Sequence, residues 1–208
     1  MDIQEKRIPQ QILPRGFIGW IMGWVMPIFH DSIYKLVYPV LDLQPQDSLL
    51  EVACGSGHFL KKYASNVKRI AGLDLSDVMI KMAKRKNKDR IAAGTAEFVQ
   101  GEAINLPWKD NTFSVVTSIG SFVYFSKPLE STREMYRVLY PGGRTVVSIE
   151  WNAEDEVDHS KKIKEWGIQI HSEEDIRSIM MQAGFSDISF TYKKDFGIAK
   201  IMIVRAVK

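Results

Sequence analysis

The chain has almost no cysteine: Cys54 is the only one in 208 residues. One thiol cannot close an internal disulfide, so a reducing, cytoplasmic setting is the expectation. No large excess of either charge is present. A net charge of +3 is too small to mark a nucleic-acid partner, and the densest basic run, KMAKRKNKDR (81–90), reads as the solvated end of a helix. A membrane-spanning helix needs about 18–20 apolar residues. The uncharged stretch GFIGWIMGWVMPIF (16–29) offers 14 and is interrupted by Pro27, so it is expected to lie on or in something else. The polar start MDIQEKRIPQ has no cleavable-signal pattern. No three-carboxylate pattern suggests a metal. Repeats, low-complexity tracts and internal linkers are also lacking, which leaves one core preceded by an N-terminal extension.

What is present after residue 45 is alternation. SLLEVA (48–53), RIAGLDL (69–75), AEFVQG (96–101), FSVVTSIG (113–120) and RTVVSIEW (144–151) are short apolar runs, as strands buried on both faces are. Between them fall helical candidates at 58–65, 76–90, 127–140 and 172–183. Ser76 and Ser172 suit N-caps, with Asp175 completing a capping box, and Gly142 and Gly184 suit helix ends. Two last strands, 187–194 and 199–208, are close enough to pair antiparallel at one edge. The pattern predicts an α/β, Rossmann-like doubly wound sheet of seven strands, mostly parallel with an antiparallel C-terminal hairpin. Residues 46–208 form the expected domain and residues 1–45 a helical cap.

In such sheets ligands bind beyond the carboxyl ends of the strands. The first turn there is ACGSG, where Gly55 and Gly57 let the backbone approach a ligand that a Cβ would block. Seventeen residues past Gly57 comes Asp74, an acceptor-only group suited to both hydroxyls of a ribose. The third glycine of a dinucleotide loop is missing, because Leu60 stands there, and no Walker lysine follows. Glu51 would repel a pyrophosphate and attract an ammonium. Ribose, adenine, an ammonium and no phosphate describe S-adenosylmethionine.

The motifs agree. LLEVACGSGHFL (49–60), GLDLSDVMI (72–80), FVQGEAINLPWKDNTFSVV (98–116), EMYRVLYPGGRTVVSIE (134–150) and MQAGF (181–185) resemble, in order, those of class I S-adenosylmethionine-dependent methyltransferases of the small-molecule, quinone-biosynthesis-like type. The resemblance implies that Glu51 meets the methionine ammonium. It also places Ala53, Cys54, Gly55 and Gly57 along methionine and ribose, and Asp74 and Leu75 at ribose and adenine. Met79, Gly101, Glu102 and Ala103 would border the adenine, and Ser118 and Ile119 the methionine end. Ala53 for the first glycine, Glu102 for the commoner Asp and Ser114 for an Asp are departures that do not forbid the cofactor. Cys54 reads as a packing residue in this loop rather than a nucleophile.

The acceptor is less legible, because a sulfonium is already activated and the protein mainly supplies alignment and a dry pocket. An Asn/Asp-Pro-Pro-Tyr box, which marks amino-methylating enzymes of bases, is absent, and SIGSFVYF (118–125) stands in its place. In relatives of this kind N-terminal helices fold over the cofactor. That implies a lid carrying Trp24, Tyr34 and Tyr38, with Trp151 opposite and His30 and Tyr124 as catalytic candidates. Ordinary core packing and attachment to a membrane surface compete with the lid for residues 16–29. His58 reads as a helix opener near the cofactor, and His159 and His171 as surface residues. The expected function is methyl transfer to a small, apolar or aromatic acceptor, with no nucleic-acid or metal partner and the oligomeric state open. A non-catalytic cofactor-binding module is the alternative, and a nicotinamide oxidoreductase a weaker third.

Overall fold

The computed structural model of the chain describes residue 9, residues 13–195 and residues 198–208. It begins with one long helix, α1 (Gly16–Leu41), followed by alternating strands and helices. These are β1 (Ser48–Val52), α2 (His58–Tyr63), β2 (Arg69–Asp74), α3 (Asp77–Lys86), α4 (Lys88–Ala92), β3 (Ala96–Gln100) and β4 (Phe113–Ile119). A single 3₁₀ turn (Phe122–Tyr124) leads to α5 (Pro128–Val138), β5 (Leu139–Ile149), α6 (Ser160–Trp166), α7 (Glu173–Ala183), β6 (Ser186–Asp195) and β7 (Ile198–Val207).

The sheet has seven strands in the order β3-β2-β1-β4-β5-β7-β6. The first five are parallel, while β7 runs antiparallel to both β5 and β6. Strand alternation divides the core between two faces. Leu49, Ile70, Val115 and Val146 pack beneath α1, α2 and α3, against Val37, Phe59 and Ile80. Their neighbours Leu50, Ala71, Val116 and Val147 pack beneath α5 and α7, against Met135 and Ile176. The order reverses between β1 and β4, and that switch point is where a crevice opens.

Four local expectations need correction. Pro27 does not interrupt α1, which runs through it for 26 residues. A helical proline leaves the carbonyl four residues earlier without its N–H donor. Here that carbonyl belongs to Gly23, and Lys86 Nζ donates to it at 3.3 Å. The helix expected at 76–90 breaks at Asn87, whose buried amide donates to Ala83 O (3.0 Å) and Gly57 O (3.3 Å) in place of a continuing ladder. The Pro-Gly-Gly at 141–143 does not separate helix from strand, and Gly142 is not a helix end. Helix α5 stops at Val138, and the glycines form an irregularity inside β5 where the register with β4 shifts. A Cβ on Gly143 would lie 2.9 Å from Tyr140 O and 3.0 Å from Ser114 O, so only glycine fits there. His159 and His171 are buried rather than on the surface. The 151–172 segment, including α6, folds back over the sheet end, with His159 Nε2 bonded to Asp155 and Ala153 N–H donating to His171 O.

The caps behave as read. Ser76 Oγ accepts from Met79 N–H, Ser172 and Asp175 make a reciprocal capping box, and Gly184 closes α7 in the left-handed region. Arg144 donates to Leu41 O and Asp42 O, tying down the far end of α1.

Candidate active site

A cavity of about 650 Å³ opens beyond the carboxyl ends of β1, β2 and β4, with α1 forming one wall. Its floor is the turn after β1. Ala53 and Gly55 sit in the left-handed region, at φ +60° and +52°, which turns the chain sharply under the cavity. The turn is held from β2: Gly55 N–H donates to Asp74 Oδ2 (2.8 Å) and Ser76 N–H to Asp74 Oδ1 (2.9 Å). A carboxylate has about four acceptor positions, so roughly two remain for a ligand. Burial raises the Asp74 carboxyl above its ordinary value, and these two amide bonds oppose the shift.

The two loop glycines have different reasons. A Cβ on Gly55 would meet nothing within 4 Å, so this position borders open space. On Gly57 it would lie 2.9 Å from Ala83 Cβ and 3.1 Å from Ala83 Cα, so Gly57 lets α2 pack against α3 and does not line the cavity. The expectation that both approach a ligand is corrected for Gly57.

Glu51 is 2% exposed, and its Oε2 has no hydrogen-bond partner among the described residues. It lies on the same strand face as Leu49, towards α1. Burial first, and Asp74 second, raise its carboxyl well above the ordinary range. An unpaired acid in an apolar setting costs stability, and an adjacent cation relieves that cost. Glu51 is not itself among the residues that line the cavity but lies just behind the turn, so the residues present fit a ligand whose ammonium approaches it there, with hydroxyls near Asp74 and a backbone-hugging middle at Gly55. Leu75, Met79, Gly101, Glu102 and Ala103 line the remainder of this end. Cys54 also lines it; burial pushes its thiol up, which suits packing and not nucleophilic attack.

Helix α1 closes the cavity from above. Ser76 donates through Oγ to Pro14 O, pinning the chain just before α1 to the cap of α3. Lys86 bonds Ser56 Oγ at 2.6 Å as well as Gly23 O, so one amine ties α1 to the glycine turn. Burial lowers Lys86 to about 8. It is thus no part of a solvated basic end. His30 Nδ1 lies 3.1 Å from Met26 O. A carbonyl only accepts, so the proton of the neutral ring sits on Nδ1 and Nε2 keeps a lone pair. Burial lowers the His30 pKa, which favours this neutral form. Tyr34 stands between His30 and His58, with centroids 6.2 Å from each, and both lie on the cavity wall.

The opposite end is aromatic. Tyr124 meets Trp151 edge to face at 6.2 Å, and Trp151 meets Trp166 at 5.5 Å. Burial and nearby Glu150 push the Tyr124 phenol up, so it stays a neutral donor and acceptor. Gly120 (φ +71°) separates this end from α1: a Cβ there would lie 3.3 Å from Glu150 Oε1 and 3.5 Å from His30 Cδ2.

Three further residues fall elsewhere than expected. Tyr38 is 41% exposed and packs on Tyr63, outside the cavity. Steps of four residues advance about 40° round a helix, so the third member of His30–Tyr34–Tyr38 has drifted off the face. Trp24, six residues before His30, lies on the outer side of α1, stacked with Lys86 at 5.2 Å. Ser118 is fully buried because alternation in β4 sends Ile119 to the cavity and Ser118 to the other face. Sequence reading missed Lys86, Glu150, Gly120 and Trp166. Only Lys86 left a signal, since a proline inside a helix calls for a replacement donor. Among the described residues no cluster of three or more His, Cys, Asp or Glu side chains is placed to hold a metal ion.

Residues 50–147 match the family model of a methyltransferase domain. The chain carries a class I, S-adenosylmethionine-dependent methyltransferase domain. It is 35% identical over 108 residues to the ubiquinone/menaquinone biosynthesis C-methyltransferase UbiE of Ectopseudomonas mendocina, covering 50% of this chain and 42% of the relative. It is 25% identical over 176 residues to the uncharacterized methyltransferase YdaC of Bacillus subtilis, covering 83% of this chain and 90% of that one. The aligned methyltransferase segment spans less than half the length of the UbiE relative. A solved Haloferax volcanii putative methyltransferase, in complex with the Trm112 methyltransferase activator, superposes with a TM-score of 0.79 at 18% identity. That overlap covers 90% of this chain and 93% of the other, and it speaks to the fold.

Proposed function

We propose that the protein transfers a methyl group from S-adenosylmethionine to a small apolar or aromatic acceptor bearing an ionisable hydroxyl, such as a phenol or hydroquinone. The single observation that carries the cofactor assignment is the buried, unpartnered Oε2 of Glu51, an anion-in-waiting beside the turn that Asp74 holds. S-adenosylmethionine, when bound, supplies an electrophilic methyl on a sulfonium. This chain's residues do the rest. Glu51 and Asp74 hold the two polar ends of the ligand, and Gly55 leaves the space between them. Tyr124, Trp151 and Trp166 give the acceptor an apolar slot that excludes water. His30 Nε2 takes the hydroxyl proton, while the neutral Tyr124 hydroxyl orients the oxygen.

The relative UbiE, whose sequence this domain resembles, is named a ubiquinone/menaquinone biosynthesis C-methyltransferase, which supports a quinol-type aromatic acceptor whose ring carbon a deprotonated hydroxyl activates. So does an acceptor end built of one phenol and two indoles. The test is S-adenosylhomocysteine release with separate pools of quinols, phenols, amines, thiols and fatty acids. Turnover confined to phenols and quinols is expected. His30→Gln is expected to lower kcat about 100-fold while leaving S-adenosylhomocysteine affinity within twofold. Because the His30 pKa lies below its usual 6.5, the acid limb of kcat is expected below that pH, with a plateau at neutrality. Turnover only with amines or thiols, or an unaltered kcat in the variant, would refute the acceptor reading.

A further inference from the structure

The outer side of α1 has an unusual surface. Positions 17–18, 20–21, 24–25 and 28–29 recur at helical spacing and hold only Phe, Ile, Trp and Val. All eight are exposed, with Phe17, Ile28 and Phe29 each at 74%. The opposite side explains why they are left out. Gly19, Gly23 and Pro27 are the buried positions of this half of α1, and a Cβ on Gly23 would lie 2.4 Å from Met82 Sδ, so small residues seat the helix close on α3. Among the described residues nothing covers the large ones. A contiguous apolar stripe of this extent on a folded chain marks a surface that meets another apolar phase.

Charge indicates which one. Residues 77–86, in α3 beside the stripe, hold four Lys or Arg and one Asp, a net +3 that equals the net charge of the whole chain. Phe17 and Trp20 share a groove with Lys81 and Arg85, and Lys86 lies over Trp24. An apolar face with tryptophans and a basic flank is the pattern of a helix lying in a bilayer interface over anionic headgroups. No described helix is long and apolar enough to cross a membrane, so the contact is in-plane. The stripe also stops where the polarity changes: after Phe29, Asp31 pairs with Lys35 and Lys62.

We infer that α1 docks this protein on an anionic phospholipid bilayer, with the stripe in the acyl boundary and Lys81, Lys84 and Arg85 of α3 on the headgroups. Phe29 belongs to the stripe and also lines the cavity, as do its neighbours Met22 and Met26 on α1. Docking therefore sets the cavity mouth against the membrane, and an acceptor dissolved in lipid enters past α1 without crossing water. The inference rests on the helix surface and its flank, not on the identity of the acceptor.

The test is flotation of the full chain with phosphatidylcholine vesicles, with and without phosphatidylglycerol. Binding is expected with the anionic vesicles, weakened by high salt. Ile21→Gln/Ile28→Gln and Lys84→Glu/Arg85→Glu, all at exposed sites outside the cavity, are each expected to lower the partition coefficient about tenfold or more. Circular dichroism and S-adenosylhomocysteine affinity are expected to stay unchanged. The inference is overturned by no flotation on anionic vesicles at low salt, or by binding that ignores both lipid charge and these substitutions. It is equally overturned by a self-associated dimer that Ile21→Gln/Ile28→Gln dissociates and that does not bind vesicles.

Discussion

The two ends of the cavity are built in different ways. At the glycine turn, recognition comes from backbone geometry and two acids on adjacent strands: Glu51 of β1 stands in register with Gly72 of β2, and Asp74 follows two residues further along β2. At the aromatic end, Tyr124, Trp151, Trp166 and His30 arrive from four separate elements, and almost nothing but packing holds them. The first end is polar, strained and specific. The second is apolar and tolerant. Substitutions at the first are therefore expected to alter cofactor affinity, and at the second acceptor KM.

Glu51→Gln gives the largest effect. Removing one partner of a buried ion pair costs about 3 kcal/mol or more, so S-adenosylhomocysteine affinity is expected to fall over 100-fold. The ligand-free protein is expected to become more stable, because the wild-type carboxyl is buried without compensation. The pH dependence follows from linkage. With its pKa raised in the folded state, Glu51 keeps a proton that the unfolded chain releases above about 4.5. Its contribution to stability is full below that pH and is lost as pH rises towards the raised value. The melting temperature of Glu51→Gln minus that of wild type is expected to grow from acid to neutral pH. A difference that shrinks would mean that Glu51 already has a cation.

Asp74→Ala comes next, with a loss of about 1–3 kcal/mol in calorimetric affinity, the scale of charged hydrogen bonds. Its two amide donors, from Gly55 and Ser76, lose their acceptor as well. If affinity is unchanged, the ribose role fails and Asp74 is only a brace for the turn.

The same contrast explains how far the sequence could be read. The strand alternation, the glycine turn and both acids lie in short contiguous motifs, where local pattern and local geometry coincide. Gly57 shows the limit even there, because its packing against Ala83 is a contact between α2 and α3 that spacing alone does not show. At the aromatic end the limit is reached sooner. Trp166 lies on α6, a helix with no buried residue and hence no apolar period, and Tyr38, two steps of four beyond His30, has turned about 80° away from it round α1. Trp24 and Lys86 form a pair across α1 and α3, two segments that look unrelated in sequence.

Gly57→Ala and Gly55→Ala separate the two glycines. Both positions have positive φ, which costs a residue with a Cβ about 1–2 kcal/mol. Gly57→Ala adds a clash with Ala83, so it is expected to lower unfolding stability by more than Gly55→Ala while cofactor affinity in the surviving fold changes little. Gly55→Ala is expected to show the reverse, with the added methyl in the space that the ligand needs. Equal behaviour in both assays would erase the distinction between packing and ligand approach.

The smallest effect is expected at the aromatic end. Trp166 touches Trp151 and not the glycine turn, so Trp166→Ala removes one edge contact of the slot, worth about 0.5–1.5 kcal/mol. Acceptor KM is expected to rise by up to about tenfold with S-adenosylhomocysteine affinity unchanged. If the variant weakened the cofactor instead, the two ends would be mechanically coupled through Trp151 and Tyr124. The cavity would then have to be treated as one site whose aromatic end sets the shape of its polar one.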